Sequence, residues 1–353
     1  MGILPFRLFI IQFQTPSSLC SIPCSPGYRK CLQKSKLPCC FDCVSCNEGE
    51  ITNGSGMENC ESCPDNQWPN HSRDLCNQRP LHFLSYEDPL GIILAFAATA
   101  LSAITASVLW LYVKQRKTPL VRANNCNLSY VLLLSLLWGF LLSFLFIGHP
   151  EDLSCLMRQA AILIIFSVAI SAVLGKSVTV IVAFNASKPR SRFKRFLGPK
   201  ISILIVMLCS VSELVICLTW LSCSPPFVES DTKSMPGFII LQCNEGSVVA
   251  FYFAICYVGV LAVFSFITAF LSRQLPDTFN EAQHITFSML VFCSVWISFI
   301  PTYLCSKGKH MVAVELFAIL ASNGALLGFI FVPKCHIILL KPELNSRGNI
   351  KKK

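Results

Sequence analysis

Residues 89–122 read PLGIILAFAATALSAITASVLWLYVKQRKTPLVR, a long apolar run that ends abruptly in a cluster of bases. About 30 Å of hydrocarbon divided by about 1.5 Å of helical rise requires roughly 20 mainly apolar residues, and Leu90 to Val113 meets that length. Six further stretches meet it: Cys126 to Ile147, Leu156 to Phe184, Leu197 to Leu221, Ser247 to Leu271, Ile285 to Leu304 and Met311 to Val332. Seven spans are an odd number, so the two termini are expected on opposite sides of a bilayer.

The loops assign the sides, because bases are retained on the cytoplasmic face. The first loop carries Lys114, Arg116, Lys117 and Arg122, and the third carries Lys188, Arg190, Arg192, Lys194, Arg195 and Lys200, with no acid in either. The second loop has Glu151 and Asp152; the fourth sets Glu229, Asp231 and Glu245 against Lys233. This places the N terminus outside and the tail, with Lys351, Lys352 and Lys353, inside. The loop after the sixth span, with Lys307, Lys309 and His310, runs against the rule.

Composition agrees with this reading. Of 353 residues, 53% are hydrophobic and 14% charged, a surplus of apolar surface that needs lipid around it. The formal charge of +10 does not indicate nucleic acid here, since the bases sit in short segments between apolar runs. The six histidines are dispersed, and no HExxH, phosphate loop or GxSxG elbow appears, so no enzyme, metal centre or cofactor is expected. Neither paired broken helices nor an internal repeat favours a transporter.

Ten of the twenty cysteines lie between Cys20 and Cys76. The surrounding segment, 19–80, is polar, rich in Gly, Pro and Asn, and too short to bury a sufficient core, so its order must come from cross-links. Cys43-Val44-Ser45-Cys46 and Cys60-Glu61-Ser62-Cys63 form paired CxxC knuckles, a spacing that also suits a four-thiolate zinc site. An outside location and the surplus of cysteines favour disulfides over zinc. The sequons at Asn53 and Asn70 agree with that location. Residues 1–18, with Arg7 and a short apolar run, read as a remnant or a weak signal-like segment. The spanning region is expected over 88–340 and a tail over 341–353. The fold class is therefore an all-α membrane protein, a seven-transmembrane helix bundle preceded by a small disulfide-rich extracellular module, at the plasma membrane.

Several strings occur together in order: CCFDCVSCNEGEI at 39–51, CESCPDNQWPN at 60–70, RKTPLVRANN at 116–125, LPDTFNEAQHITFSML at 275–290, FIPTY at 299–303 and VPKCHIILLKPELN at 332–345. In these the chain resembles the class C G-protein-coupled receptors, most closely the vomeronasal type-2 branch with its calcium-sensing relatives. The resemblance implies pairings Cys20 with Cys40, Cys24 with Cys43, Cys46 with Cys60 and Cys63 with Cys76. It leaves Cys39 to bond with a bilobed ligand-binding domain that precedes the module in the family and is absent from this sequence. Cys31 is additional to the family's nine, and a bond from Cys31 to Cys39 is one alternative for it.

The resemblance also implies a Cys155 to Cys243 disulfide across the bundle mouth, against the alternative of two free thiols. Charges in hydrocarbon are costly enough to be read as functional. Lys176 in the third span and Glu281, ahead of the sixth, match the family's ionic lock, with simple snorkelling of Lys176 as the alternative. Arg158, Gln159 and Glu315 match its bundle pocket, with Trp296, Phe299 and Tyr303 as an aromatic wall; ordinary packing is the alternative for the aromatics. Glu213 lies mid-span without an evident partner. Arg190, Arg192, Lys194, Arg195, Phe279 and Asn280 would form the G-protein face, although topology and anionic lipid account for part of that charge. The implied partners are a heterotrimeric G protein, a second receptor chain, membrane lipid and an unidentified extracellular ligand. The implied function is pheromone or chemosensory reception, with amino-acid or cation sensing, or a non-signalling dimerising fragment, as alternatives.

Overall fold

A computed structural model of the protein describes residues 20–32, 40–118, 121, 125–187, 199–273 and 281–340. It divides into two compact units, one built on residues up to Pro80 with Met235–Ile239, the other on Leu81–Ser234 and the residues from Ile240 onward.

The first unit is made of short antiparallel strand pairs: β1 (Tyr28–Leu32) with β2 (Phe41–Ser45), β3 (Glu50–Ile51) with β4 (Glu61–Ser62), and β5 (Gln67–Pro69) with β6 (Cys76–Gln78). Its interior is cystine and backbone. Cys24 and Cys46 are each 1% exposed, and disulfides join Cys20–Cys40, Cys24–Cys43, Cys46–Cys60 and Cys63–Cys76 over separations of 20, 19, 14 and 13 residues. A loop of about 15 residues closed in this way removes about 3 kcal/mol of unfolded-state entropy. Buried Thr52 accepts from Gly27 N at its hydroxyl (2.7 Å), and its own N–H donates to Arg73 O (3.0 Å). The Arg73 guanidinium donates to Cys46 O. Gly27 turns at φ +87°, a conformation that favours glycine. Cys31 is a free, exposed thiol, so the Cys31 to Cys39 bond is not formed. On β1 it stands opposite Asp42 of β2, with no half-cystine across from it. Cys39 lies outside the described residues.

In the second unit seven helices are long and apolar enough to cross a membrane, among the described residues. They are α1 (Pro89–Lys114), α2 (Cys126–Leu142), α3 (Asp152–Ser187), α4 (Pro199–Cys223), α5 (Val248–Ser272), α6 (Glu281–Cys305) and α7 (Lys309–Leu340). α2 tightens into a 3₁₀ turn over Ser143–Phe146. Pro89 stands at the first turn of α1, where its missing N–H is harmless, and Lys114 stands at the last, where a cation suits the helix dipole. Ser247 caps α5 by accepting from Ala250 N at 3.4 Å.

α3 is the axis of the bundle, in contact with α2, α4, α5 and α6, and 67% of its apolar window is buried against 17% for α1 and 22% for α4. Small residues permit this closeness: at Gly175 an added Cβ would lie 3.3 Å from Ser202 O of α4. The remaining surface of the outer helices is apolar and exposed, including Phe96, Trp110, Phe253 and Ile297, as lipid contact requires.

A hairpin of β8 (Phe227–Asp231) and β9 (Ile239–Asn244) joins α4 to α5, with β7 (Leu81–His82) on the other edge of β9. The Cys155–Cys243 disulfide ties β9 to the first turns of α3, and Asp152 accepts from Val228 N at 2.9 Å. Trp220 Nε1 donates to Glu245 O at 3.0 Å.

Because the first unit owes its order to cystines and the bundle owes its own to buried helix faces, a reductant separates them. Reduction is expected to abolish amide protection at 28–32 and 41–45 while leaving α2 and α3 protected, as read by hydrogen–deuterium exchange.

Candidate functional site

At the end of the bundle away from the β8–β9 hairpin, three helices meet at one carboxylate. Lys176 Nζ of α3 donates to Glu281 Oε1 at 3.1 Å, and Lys334 Nζ of α7 donates to the same oxygen at 2.7 Å. Lys176 also donates to Ser129 Oγ of α2 at 2.9 Å. The lysine side chains are 2% and 5% exposed, and that of Glu281 14%. The Lys176 ammonium lies within the protein.

Glu281 opens α6 as its first residue, whereas the span predicted from hydropathy starts at Ile285. The helix begins earlier because a carboxylate paired with two cations is tolerated at the first turn, where it also complements the dipole. Lys334 was missed for the converse reason. Hydrocarbon length ends the seventh span at Val332, but α7 continues to Leu340. The signal was available, since Pro333-Lys334 stands within an apolar run and the same intramembrane-charge argument applies to it. Polar stitching continues nearby: Thr179 Oγ1 lies 2.6 Å from Ser202 Oγ, and Tyr130 donates to Tyr112 O at 3.3 Å.

At the hairpin end, Arg158 and Gln159 are 6% and 7% exposed on α3. The Arg158 guanidinium lies over the Phe146 ring at 5.2 Å and within electrostatic reach of Glu315, Tyr303 and Glu245. Tyr303 donates to Glu245 Oε1 at 3.5 Å, linking α6 to the hairpin segment. Trp296 packs edge-on against Phe166 (5.3 Å) and Phe299 (5.2 Å), and Phe299 stacks on Tyr303 at 5.1 Å. Arg158, Tyr303 and Glu315 thus lie together with Trp296 and Phe299 as an aromatic flank, and Phe299 also lines an outward-facing groove between α1, α6 and α7. Arg158 Nε, Gln159 Oε1 and Trp296 Nε1 are buried without a hydrogen-bond partner among the described residues. Glu213 of α4 accepts from Cys217 Sγ at 3.5 Å.

Asp88, just ahead of α1, accepts from Lys309 Nζ at 2.8 Å. That bond, with a second from Ser85 N–H, holds the Asp88 carboxyl below its ordinary value.

Asn53 is exposed, whereas the Asn70 side chain is engaged in a turn, donating to Asp74 at 2.5 Å and accepting from Asp74 N at 3.1 Å. Arg190, Arg192, Lys194, Arg195, Phe279 and Asn280 lie outside the described residues.

Seven apolar helices wrapped on a central third helix, with a disulfide-tied hairpin at one end and a buried ion cluster at the other, define a heptahelical integral membrane protein. The family described as "7 transmembrane sweet-taste receptor of 3 GCPR" matches residues 84–334, and the "Nine Cysteines Domain of family 3 GPCR" matches residues 15–69. The chain belongs to this family, the class C G-protein-coupled receptors. Over 95% of its length it is 52% identical to vomeronasal type-2 receptor 26 of Mus musculus, covering 39% of that protein. It is 46% identical to vomeronasal type-2 receptor 116 of Mus musculus over 96% of its length, covering 40% of it. It is 42% identical to the extracellular calcium-sensing receptor of Homo sapiens over 94% of its length, covering 31% of that protein. The chain thus spans about two-fifths of the vomeronasal relatives it matches.

Removing one partner of a buried ion pair costs about 3–5 kcal/mol because the other charge is left uncompensated. Glu281→Gln is accordingly expected to lower the unfolding midpoint in detergent. Glu281→Leu combined with Lys176→Met and Lys334→Met should restore most of the loss.

A carboxyl whose folded pKa is depressed stabilises above its unfolded value and loses that contribution as pH falls through the folded one. The Asp88–Lys309 contact is therefore expected to persist at the ordinary carboxylate pKa and to weaken only as the pH falls below it. Faster amide exchange near the start of α1, absent in Asp88→Asn at neutral-to-acid comparison, is the readout.

Proposed function

We propose that this chain is the transducing part of a class C receptor of the vomeronasal chemosensory type, which converts a conformational change in an extracellular region into nucleotide exchange on a heterotrimeric G protein. The observation that carries this reading is the single carboxylate, Glu281, holding α3, α6 and α7 together at one end of the bundle. A clamp of this kind is a two-state element. With both ammonium groups on Glu281 the three helices are locked, and separating α6 exposes charges that solvent or a partner must then satisfy.

The orientation that goes with it places the cysteine module and the β8–β9 hairpin outside and the Glu281 cluster inside. Oxidised cystines in both outer elements support it, since such bonds persist in oxidising compartments. On this reading Arg190, Arg192, Lys194, Arg195, Phe279 and Asn280 contribute to the G-protein face. Pro301 leaves the carbonyl of Ile297 without its helical donor and so provides a hinge within α6. Arg158, Gln159, Glu315, Trp296, Phe299 and Tyr303 form a pocket for a small modulator, and a second receptor chain is the partner in the membrane. Asn53, exposed in the module, is the preferred glycan acceptor over Asn70, whose amide is already bonded.

The test is guanine-nucleotide exchange by a chimera in which this chain follows the ligand-binding region of a relative. Glu281→Ala is expected to raise ligand-independent exchange several-fold, on the scale of the 1–3 kcal/mol typical of coupling between receptor states. Lys334→Met should do so in part. Wild-type basal exchange in both variants at normal surface expression would remove the clamp from the mechanism.

A further inference from the structure

The turn between α6 and α7 is seated on the short strand β7. Gly308, at its corner, is buried and turns at φ +60°. A Cβ added there would stand 3.0 Å from His82 Nδ1 on β7 and 3.6 Å from Ile240 Cδ1 on β9. The ring nitrogen that meets the turn is itself buried. Three further ionisable groups act on this imidazole: Lys309 and His310 at the start of α7, and Asp88 just ahead of α1. Lys309 is bound to Asp88 at 2.8 Å, which ties the start of α7 to the start of α1. Lys307, on the other side of Gly308, acts instead on Asp231 of β8.

An imidazole so placed does not tolerate its two charge states equally. Neutral, it packs against the glycine. Protonated, it sets a second positive charge beside the Lys309 ammonium, with Asp88 as the carboxylate they must share, and one of its nitrogens is screened from water. Burial, then Lys309 and His310, hold the His82 pKa below its ordinary value, and Asp88 offsets part of this. With the folded value depressed, the closed joint keeps its full stability above the unfolded value of about 6.5 and loses it as pH falls from there through the folded value. The Asp88 carboxyl, held below its own ordinary value, stays ionised over that interval.

We propose that His82 is a proton-operated latch, whose protonation releases the α6–α7 turn from β7 and frees Lys309 from Asp88. The effector is the hydrogen ion of the medium that bathes this end of the bundle. The latch is independent of whether the bundle signals.

The test is hydrogen–deuterium exchange of the full chain in nanodiscs from about pH 7.5 to about pH 5.5, corrected for the intrinsic rate at each pH. The reporter is the peptide 306–311, in which Met311 N–H donates to Gly308 O at 3.1 Å. Its exchange is expected to quicken several-fold at the lower pH. His82→Asn, neutral throughout, should remove the step. His310→Gln, at an exposed position, should keep the step and raise its midpoint, because it deletes a positive charge that opposes protonation of His82. If His82→Asn loosens the turn at every pH, the His310→Gln midpoint decides: a raised one supports the latch and an unchanged one overturns it. Exchange indifferent to pH in the wild type, a step that survives His82→Asn, or a step lost in His310→Gln would equally overturn the proposal.

Discussion

Hydrocarbon supplies no hydrogen-bond partner, so a chain that crosses it must satisfy every backbone amide within its own helices and every charge within its own bundle. The seven helices meet the first condition by i to i−4 bonding, interrupted at Pro301 and Pro333, and serines and threonines along them turn their hydroxyls onto carbonyls one turn back. The second condition is harder. Two lysines and one glutamate lie deep in the structure at one end, and their convergence on a single oxygen fixes the relative placement of α3, α6 and α7. The rest of the packing is compatible with that junction, since α3 contacts four neighbours along its length.

The two ends of α3 are held by different chemistry. Near its start a disulfide and the Asp152 carboxylate bind the β8–β9 hairpin covalently and by hydrogen bond. Near its far end Lys176 is held only by ionic and hydrogen bonds. A covalent tie does not dissociate on a signalling timescale, whereas an ion cluster exchanges partners when its surroundings change. On the proposed function, the asymmetry is that of a bundle anchored at one end and switched at the other.

The first unit solves the opposite problem. In water a segment of this size buries too little apolar area to repay its conformational entropy. Its stability comes from short closed loops, buried half-cystines and a few buried hydrogen bonds centred on Thr52. Cystine order does not depend on helix propensity or hydrophobic period, which is why the strands have no clear signature in the sequence.

Hydropathy and length determined the number of spans and their approximate limits, because burying apolar residues in lipid depends on composition alone. The alternation of basic and acidic loops likewise follows from residue type, as does the need for cross-links in the cysteine-rich segment. Partner choice does not. Whether Lys334 joins Glu281 depends on how far α7 continues past Val332 and how it is rotated, and both are set by its packing against α6 and α1. The free state of Cys31 depends on strand register, which places Asp42 opposite it. The groove beside Ser298 exists only because three helices diverge there. Each of these is a contact between residues distant in the chain, and a linear pattern specifies which groups need partners without specifying which ones they meet.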